Sequence, residues 1–180
     1  DISIEFINVS IKINSITILS QVSFKIEKGQ TIYLVGNNGS GKSILIKTLL
    51  GFIPYEGDIL LGGVNIKKLS NDVIRDYVGD VFEKHNNWNE IIEVAKICEI
   101  DKEIENLPNK YNEILGERGI DLSGGQKQRI SIARTLIQKK NIIIFDDVLS
   151  KVDNITKQKI KNNLRKYDKD VITIYITQDL

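Results

Sequence analysis

Gly36-Asn37-Asn38-Gly39-Ser40-Gly41-Lys42-Ser43 is the stretch of this chain best suited to bind a polyanion. Its glycines let the backbone curl so that successive N–H groups point at one phosphate. Lys42 supplies a cation with the reach of β- and γ-phosphates, and the Ser43 hydroxyl is a hard oxygen that suits Mg²⁺. An apolar strand, Thr31 to Val35, leads in, and a helix from Ser43 to Leu50 leads out, adding the partial positive charge of its N-terminus. With glycine near 7% of residues, a chance match to G-x-x-x-x-G-K-[ST] in a chain this long is on the order of one in a hundred. The loop by itself does not separate a kinase from a GTPase or a motor.

A second group with chemical potential is Leu122-Ser123-Gly124-Gly125-Gln126, where a Ser and two Gly open a helix from Gln126 to Gln138. Such a start leaves backbone N–H groups free for an anion. A third is Asp146, a carboxylate at the end of the apolar run Ile142 to Phe145.

The elements that must position these groups alternate. Ile2 to Val9 and Ile16 to Phe24 are apolar and β-branched, and Asp58 to Ile66 carries a Gly62-Gly63 turn between two such runs, a hairpin signal. Gly51 is a natural stop for the helix after the phosphate loop. A helix is expected from Asn89 to Asn106, before Pro108, and the lysine- and asparagine-rich stretch from Lys157 to Lys169 reads as the solvated face of another. Ile142 to Phe145 and Val171 to Ile176 are nearly all apolar, as strands covered on both faces of a parallel sheet are. The class is therefore α/β.

Composition narrows the partners. The chain has 180 residues, 25 Lys plus Arg against 24 Asp plus Glu, so no whole-chain attraction to nucleic acid or acidic lipid is expected. One cysteine, Cys98, rules out an internal disulfide and reads as a small buried apolar group in a reducing compartment. No run approaches the roughly 20 apolar residues of a membrane span. The lack of Met, even at position 1, is what a piece of a longer chain would show. His85 has no second His and no nearby Cys, which argues against a metal role. Trp88 reads either as a contact anchor or as a cover for a small helical core.

Leu122-Ser123-Gly124-Gly125-Gln126 resembles the signature of ABC-transporter nucleotide-binding domains. The match extends through Gly116-Glu117-Arg118-Gly119 before it and Lys127-Gln128-Arg129-Ile130-Ser131-Ile132-Ala133-Arg134 after it. Ile142 to Asp146 resembles the family's Walker B strand, with Asp146 holding Mg²⁺ directly or through water. Ser150-Lys151-Val152-Asp153 resembles the D-loop, with Ser150 and Asp153 facing a partner. The resemblance runs from about Ile4 to the last residue.

It implies a P-loop NTPase core with a parallel sheet, an N-terminal antiparallel β subdomain and a small, shortened helical subdomain. On that plan 1–82 and 127–180 form the core with the β subdomain, and 83–126 form the helical part ending in the signature. The chain stops before the family's final strand and helix. ATP is expected to sit between one domain's P-loop and another's signature, so a single signature implies a second ABC ATP-binding domain. A transmembrane domain at the cytoplasmic face of the cell membrane is the other implied partner.

Four positions depart from the family pattern. Asp147 stands where a Glu usually activates water, and a carboxylate drawn back by about an ångström can cost roughly a hundredfold in rate. Gln178 stands where a His usually meets the γ-phosphate; glutamine can hydrogen-bond but carries no charge. Glu83 falls on the Q-loop glutamine, after a strand from Tyr77 to Phe82, and is a further candidate Mg²⁺ ligand. Ile13 falls where an aromatic usually stacks on adenine, so adenine is expected to pack on aliphatic surface. Asp147 and Gln178 together resemble the degenerate-site subunit of heterodimeric ABC exporters, which binds ATP but hydrolyses it poorly while its signature completes the partner's site. The alternatives are a homodimeric motor with sluggish turnover, a non-hydrolysing ATP-binding module, or a soluble ABC-type ATPase of DNA maintenance. The last carries long coiled-coil insertions that this sequence lacks.

Overall fold

Alternating β-branched and polar residues build the first two strands, β1 (Ile4–Ile13) and β2 (Ile16–Ile26). They pair antiparallel, from Ile4↔Ile26 to Ile13↔Ile16. Asn14 and Ser15 between them both have positive φ, 49° and 66°, the conformation of a two-residue hairpin turn that matches strand twist. β1 thus runs past Val9, where the sequence suggested it would stop, because bulges let it stay paired through Ile13. Next come β3 (Thr31–Val35) and α1 (Lys42–Leu49), then β4 (Glu56–Leu61) and β5 (Val64–Asn65) around the expected Gly62-Gly63 turn. The computed structural model describes residues 2–78, 87–116, 119–167 and 169–178.

Those residues fall into two compact units. The first is drawn from Asp1–Gly79, Lys140–Asp147 and Asp170–Leu180. It holds a four-stranded antiparallel sheet, order β2-β1-β4-β5, and a parallel one, β3-β7-β6, where β6 is Ile142–Asp146 and β7 is Ile172–Thr177. In the parallel sheet Thr31 pairs with Thr173 and Ile142 with Ile172. Ile4, Val9, Ile11, Leu49, Ile59, Ile142 and Ile172 are fully buried in one core that spans both sheets and α1. Each such side chain contributes about 1.5–3 kcal/mol. α1 ends as its sequence suggested: Gly51 at φ 79° donates to Thr48 O and Phe52 to Lys47 O, the Schellman pattern. A short helix not foreseen, α2 (Asn71–Tyr77), starts where the Ser70 hydroxyl accepts from Val73 N. Tyr77 is therefore helical, not the start of a strand; Val78 makes a single parallel bridge to Ile142, and 79–82 lie outside the described residues.

The second unit, from Asp80–Lys139 and Val148–Lys169, is helical. It contains α3 (Trp88–Ile97), α4 (Asp101–Glu105), α5 (Gly124–Leu136) and α6 (Asn154–Tyr167). α3 packs on α4, α5 and α6. The single helix expected from Asn89 to Asn106 is broken. Ile100 N donates to Ala95 O and Glu99 N to Lys96 O, with Glu99 in the left-handed region at φ 54°. This is again a Schellman turn, and it buries both Cys98 and Ile100. Along α6 only Ile160 is buried, in keeping with the solvated face read from its lysines.

Candidate functional site

The phosphate loop follows from β3 and the unusual start of α1. Gly41 is the N-cap at φ 91°, in a left-handed conformation that costs a residue with a Cβ about 1–2 kcal/mol. A Cβ there would lie 3.2 Å from Ile18 and Leu19, and one at Gly36 would lie 2.8 Å from Ser40 Oγ. No side chain caps this helix, and its first bond is Leu45 N to Gly41 O at 2.9 Å. The N–H groups of Lys42, Ser43 and Ile44 therefore lie outside the helical ladder. The Lys42 ammonium is folded over the loop, donating to Gly36 O, to Asn37 O at 2.9 Å and to Ser40 Oγ at 3.3 Å. A tight glycine cradle, unsatisfied N–H groups and one cation fit a phosphate chain.

The facing wall comes from the carboxyl ends of β6 and β7, where open α/β sheets bind ligands. Register pairs Asp146 with Ile176, which brings Asp146, Asp147, Thr177 and Gln178 to the loop in a cleft of about 340 Å³. The Ser43 hydroxyl points at Asp146 Oδ2 across 3.4 Å, a long contact for a direct hydrogen bond. These are two hard-oxygen groups of the kind Mg²⁺ takes. Among the described residues no cluster of three or more His, Cys, Asp or Glu could hold a metal. Asp147 sits in the left-handed region at φ 51°, its N–H bonded to Ile176 O at 3.0 Å. Gln178 Nε2 donates to Asn38 Oδ1 at 2.9 Å.

In the helical unit, the signature stretch is built around a capping box. Ser123 Oγ accepts from Gln126 N at 3.2 Å, and Gln126 Oε1 accepts from Ser123 N at 2.8 Å. α5 thus starts at Gly124, two residues before the position read from sequence, because Ser123 caps it. The Ser123 hydroxyl is committed to the helix, which leaves the Gly124 and Gly125 N–H groups outside the ladder. Gln126 Nε2 also donates to Glu103 Oε2 at 2.7 Å. Glu103 in turn pairs with Arg129, whose nearly buried guanidinium also donates to Glu99 O at 2.6 Å. Asp153 Oδ1 accepts from Thr156 N at 2.9 Å, so this carboxylate caps α6. That bond holds its pKa below the usual carboxylate range.

The structure brings Asn38 through Ser43, Asp146, Asp147 and Gln178 to one cleft. Ile13 does not line it; it lies at the hairpin end of β1, about a third exposed. Leu122 and Gln126 line an apolar cleft of about 430 Å³ within the helical unit, with Tyr111 and Ile130. Trp88 is half exposed and meets Tyr111 edge to face at 6.4 Å. Glu83 and His85 lie outside the described residues. Sequence reasoning missed the supports: Glu103 under Gln126, and Asn38 as the partner of Gln178. No spacing rule signals either.

A parallel sheet fed by a phosphate loop, an antiparallel sheet beside it and a capped signature helix define an ABC-type ATPase. Comparison with known proteins agrees. The family described as ABC transporter matches residues 19–150. A mitochondrial iron-sulfur clusters transporter, ABCB7 of Oryzias latipes, is 33% identical over 91% of this chain and 24% of its own length. The probable multidrug resistance ABC transporter ATP-binding/permease protein YheI of Bacillus subtilis (strain 168) is 36% identical over 90% of this chain and 31% of its own. Among solved structures, a bacterial Atm1-family ABC exporter with ATP bound superposes with a TM-score of 0.88 at 32% identity, covering 98% of this chain and 34% of that one. This chain belongs to the ABC transporter family, as an ATP-binding, ATPase-type domain of the exporter kind. It spans about a quarter to a third of the length of these relatives. No helix among the described residues is long and apolar enough to cross a membrane.

Proposed function

We propose that this domain powers export across a membrane by nucleotide-driven, head-to-tail association with a second ABC ATP-binding domain, and that its own P-loop site hydrolyses ATP poorly. The observation that carries this is one cleft in which the phosphate loop meets Asp147 and Gln178, the positions of the usual Glu and His. Lys42 and the free N–H groups of α1 bind the β- and γ-phosphates. Ser43 and Asp146 would hold a Mg²⁺, which would supply positive charge to offset that of the phosphates. Asp147 is left to orient water with a carboxylate one methylene short. Gln178, tied to Asn38, offers a neutral hydrogen bond where an imidazole would offer charge. The signature end, with Gly124 and Gly125 N–H groups outside the ladder, completes the partner's site; Ser150 of the D-loop belongs to the same face.

On this reading the helical segment 83–126 is the lobe that carries the signature, and the transmembrane partner lies at the cytoplasmic face of the membrane. Names among the relatives, such as ATP-binding/permease protein, support a membrane partner on the same polypeptide. The near-neutral charge gives no support to nucleic acid. Glu83 as a Mg²⁺ ligand and aliphatic packing of adenine near Ile13 belong to the same proposal.

The test is ATP binding and turnover by the wild type beside Asp147→Glu/Gln178→His. Tight binding with negligible turnover, raised at least about tenfold by the double change, is the expected result. Ready turnover in the wild type would overturn the impaired site and favour a homodimeric motor.

A further inference from the structure

Gln128 lies one helical turn after Gly124, so the two share a face of α5. That face meets the D-loop. Gln128 Nε2 donates to Ser150 Oγ at 2.8 Å, and Gln128 Oε1 accepts from the backbone N–H of Lys151, also at 2.8 Å. One side-chain amide thus grips two successive D-loop residues, using both its donor and its acceptor. The close approach explains the glycines a second time. A Cβ at Gly125 would lie 2.9 Å from Lys151 O, a backbone atom that cannot swing aside. At Gly124 it would lie 2.6 Å from Lys151 Cδ, which can.

We infer that Gln128 is a positioning residue that clips the D-loop to the signature helix, so that both are presented to the partner domain as one rigid edge. Gly125 serves the same contact, because any side chain there forces Lys151 away. This rests on the proposed head-to-tail pairing, in which signature and D-loop face the partner's nucleotide. Gln128 touches neither nucleotide nor reacting atoms and acts only through what it holds. The bonds are short, paired and directional, and losing them takes from the Lys151 N–H its side-chain acceptor.

The experiment compares Gln128→Leu, of like shape with no hydrogen bond, with Gln128→Glu, whose carboxylate accepts from both the Lys151 N–H and the Ser150 hydroxyl. The full chain is used, and Ser150→Ala serves as a milder second variant. Two quantities are read: hydrogen exchange at the Lys151 amide, and the protein concentration at which saturating ATP drives association. Gln128→Leu is expected to raise Lys151 exchange roughly tenfold and weaken ATP-driven association by a similar factor, with ATP affinity at its own loop unchanged. Gln128→Glu is expected to restore both, and Ser150→Ala to lie between. Unchanged exchange in Gln128→Leu would overturn the clip. Faster exchange with undiminished association would reduce the contact to packing and overturn the positioning role. A wild type that binds ATP without associating would instead sink the head-to-tail reading itself, which separates the two failures.

Discussion

Gln178 and Asn38 stand 140 positions apart in sequence, yet their side-chain amides meet at 2.9 Å above the phosphate loop. The loop thereby holds the end of β7, and Gln178 cannot turn without breaking a bond to the phosphate cradle. Asn38→Ser keeps an acceptor and is expected to bind ATP within a few-fold of wild type. Asn38→Asp keeps the shape but sets a carboxylate against the triphosphate, and like charges across a binding site cost several kcal/mol at close range. Its ATP dissociation constant should rise at least about tenfold, as read by titration with a fluorescent nucleotide.

Asp147 occupies the left-handed region at φ 51°, a conformation Asp and Asn adopt more readily than other residues with a Cβ. Asp147→Asn should leave the urea midpoint nearly unchanged. Asp147→Val should cost about 1–2 kcal/mol, from the backbone alone. Equal effects of the two would show that the backbone there is not left-handed in solution.

Gln126 fills the capping-box position that Glu commonly takes, but its Nε2 donates to Glu103 at 2.7 Å. Gln126→Glu therefore sets two carboxylates face to face, and we expect about 1–2 kcal/mol of destabilisation at pH 7. Adding Glu103→Gln should recover most of it. Thermal melts of the two single variants and the double variant complete the cycle.

Asp153 caps α6 as a carboxylate held below its ordinary pKa by the Thr156 N–H, so it takes up a proton more readily unfolded than folded. Its stabilising effect is present above the unfolded value near pH 4 and is lost as pH falls through the lower folded value. Asn caps without titrating. Asp153→Asn should thus lose less stability than wild type between about pH 4 and pH 2, as followed by urea melts at each pH.

Cys98 is fully buried at the end of α3, and burial pushes its thiol pKa far above the ordinary value. It should resist iodoacetamide at pH 8 until urea reaches the unfolding transition. Rapid labelling of the native chain would contradict that burial.

What the sequence made legible was local. The Gly36–Ser43 loop between strand and helix, the Gly51 stop, the Gly62-Gly63 hairpin and the apolar run into Asp146 are all read from neighbours within a few residues. The break after Ile97 was not, because Glu99 is a good helix former with no glycine's excuse to stop. Tertiary bonds decide it: Glu99 O receives Arg129, while Asn163 Nδ2 bonds both Ile97 O and Glu99 Oε1. The strand expected to start at Tyr77 gave way for a local reason instead: an N-capping Ser70 sets a helix over Asn71–Tyr77 against an apolar pattern. Glu103, Asn38 and Gln128 act through partners tens of residues away, and no periodicity encodes those.

Among the described residues β3 pairs with one strand, β7: Thr31 waits for Thr173. On the ribosome, at about 5–20 residues per second, the strand that feeds the phosphate loop spends roughly 7–30 seconds without its pairing edge filled. The strand made later completes the cradle begun earlier. A nascent chain stalled before Ile172 would therefore display an apolar, unpaired edge, and chaperones would have most reason to hold it during that interval.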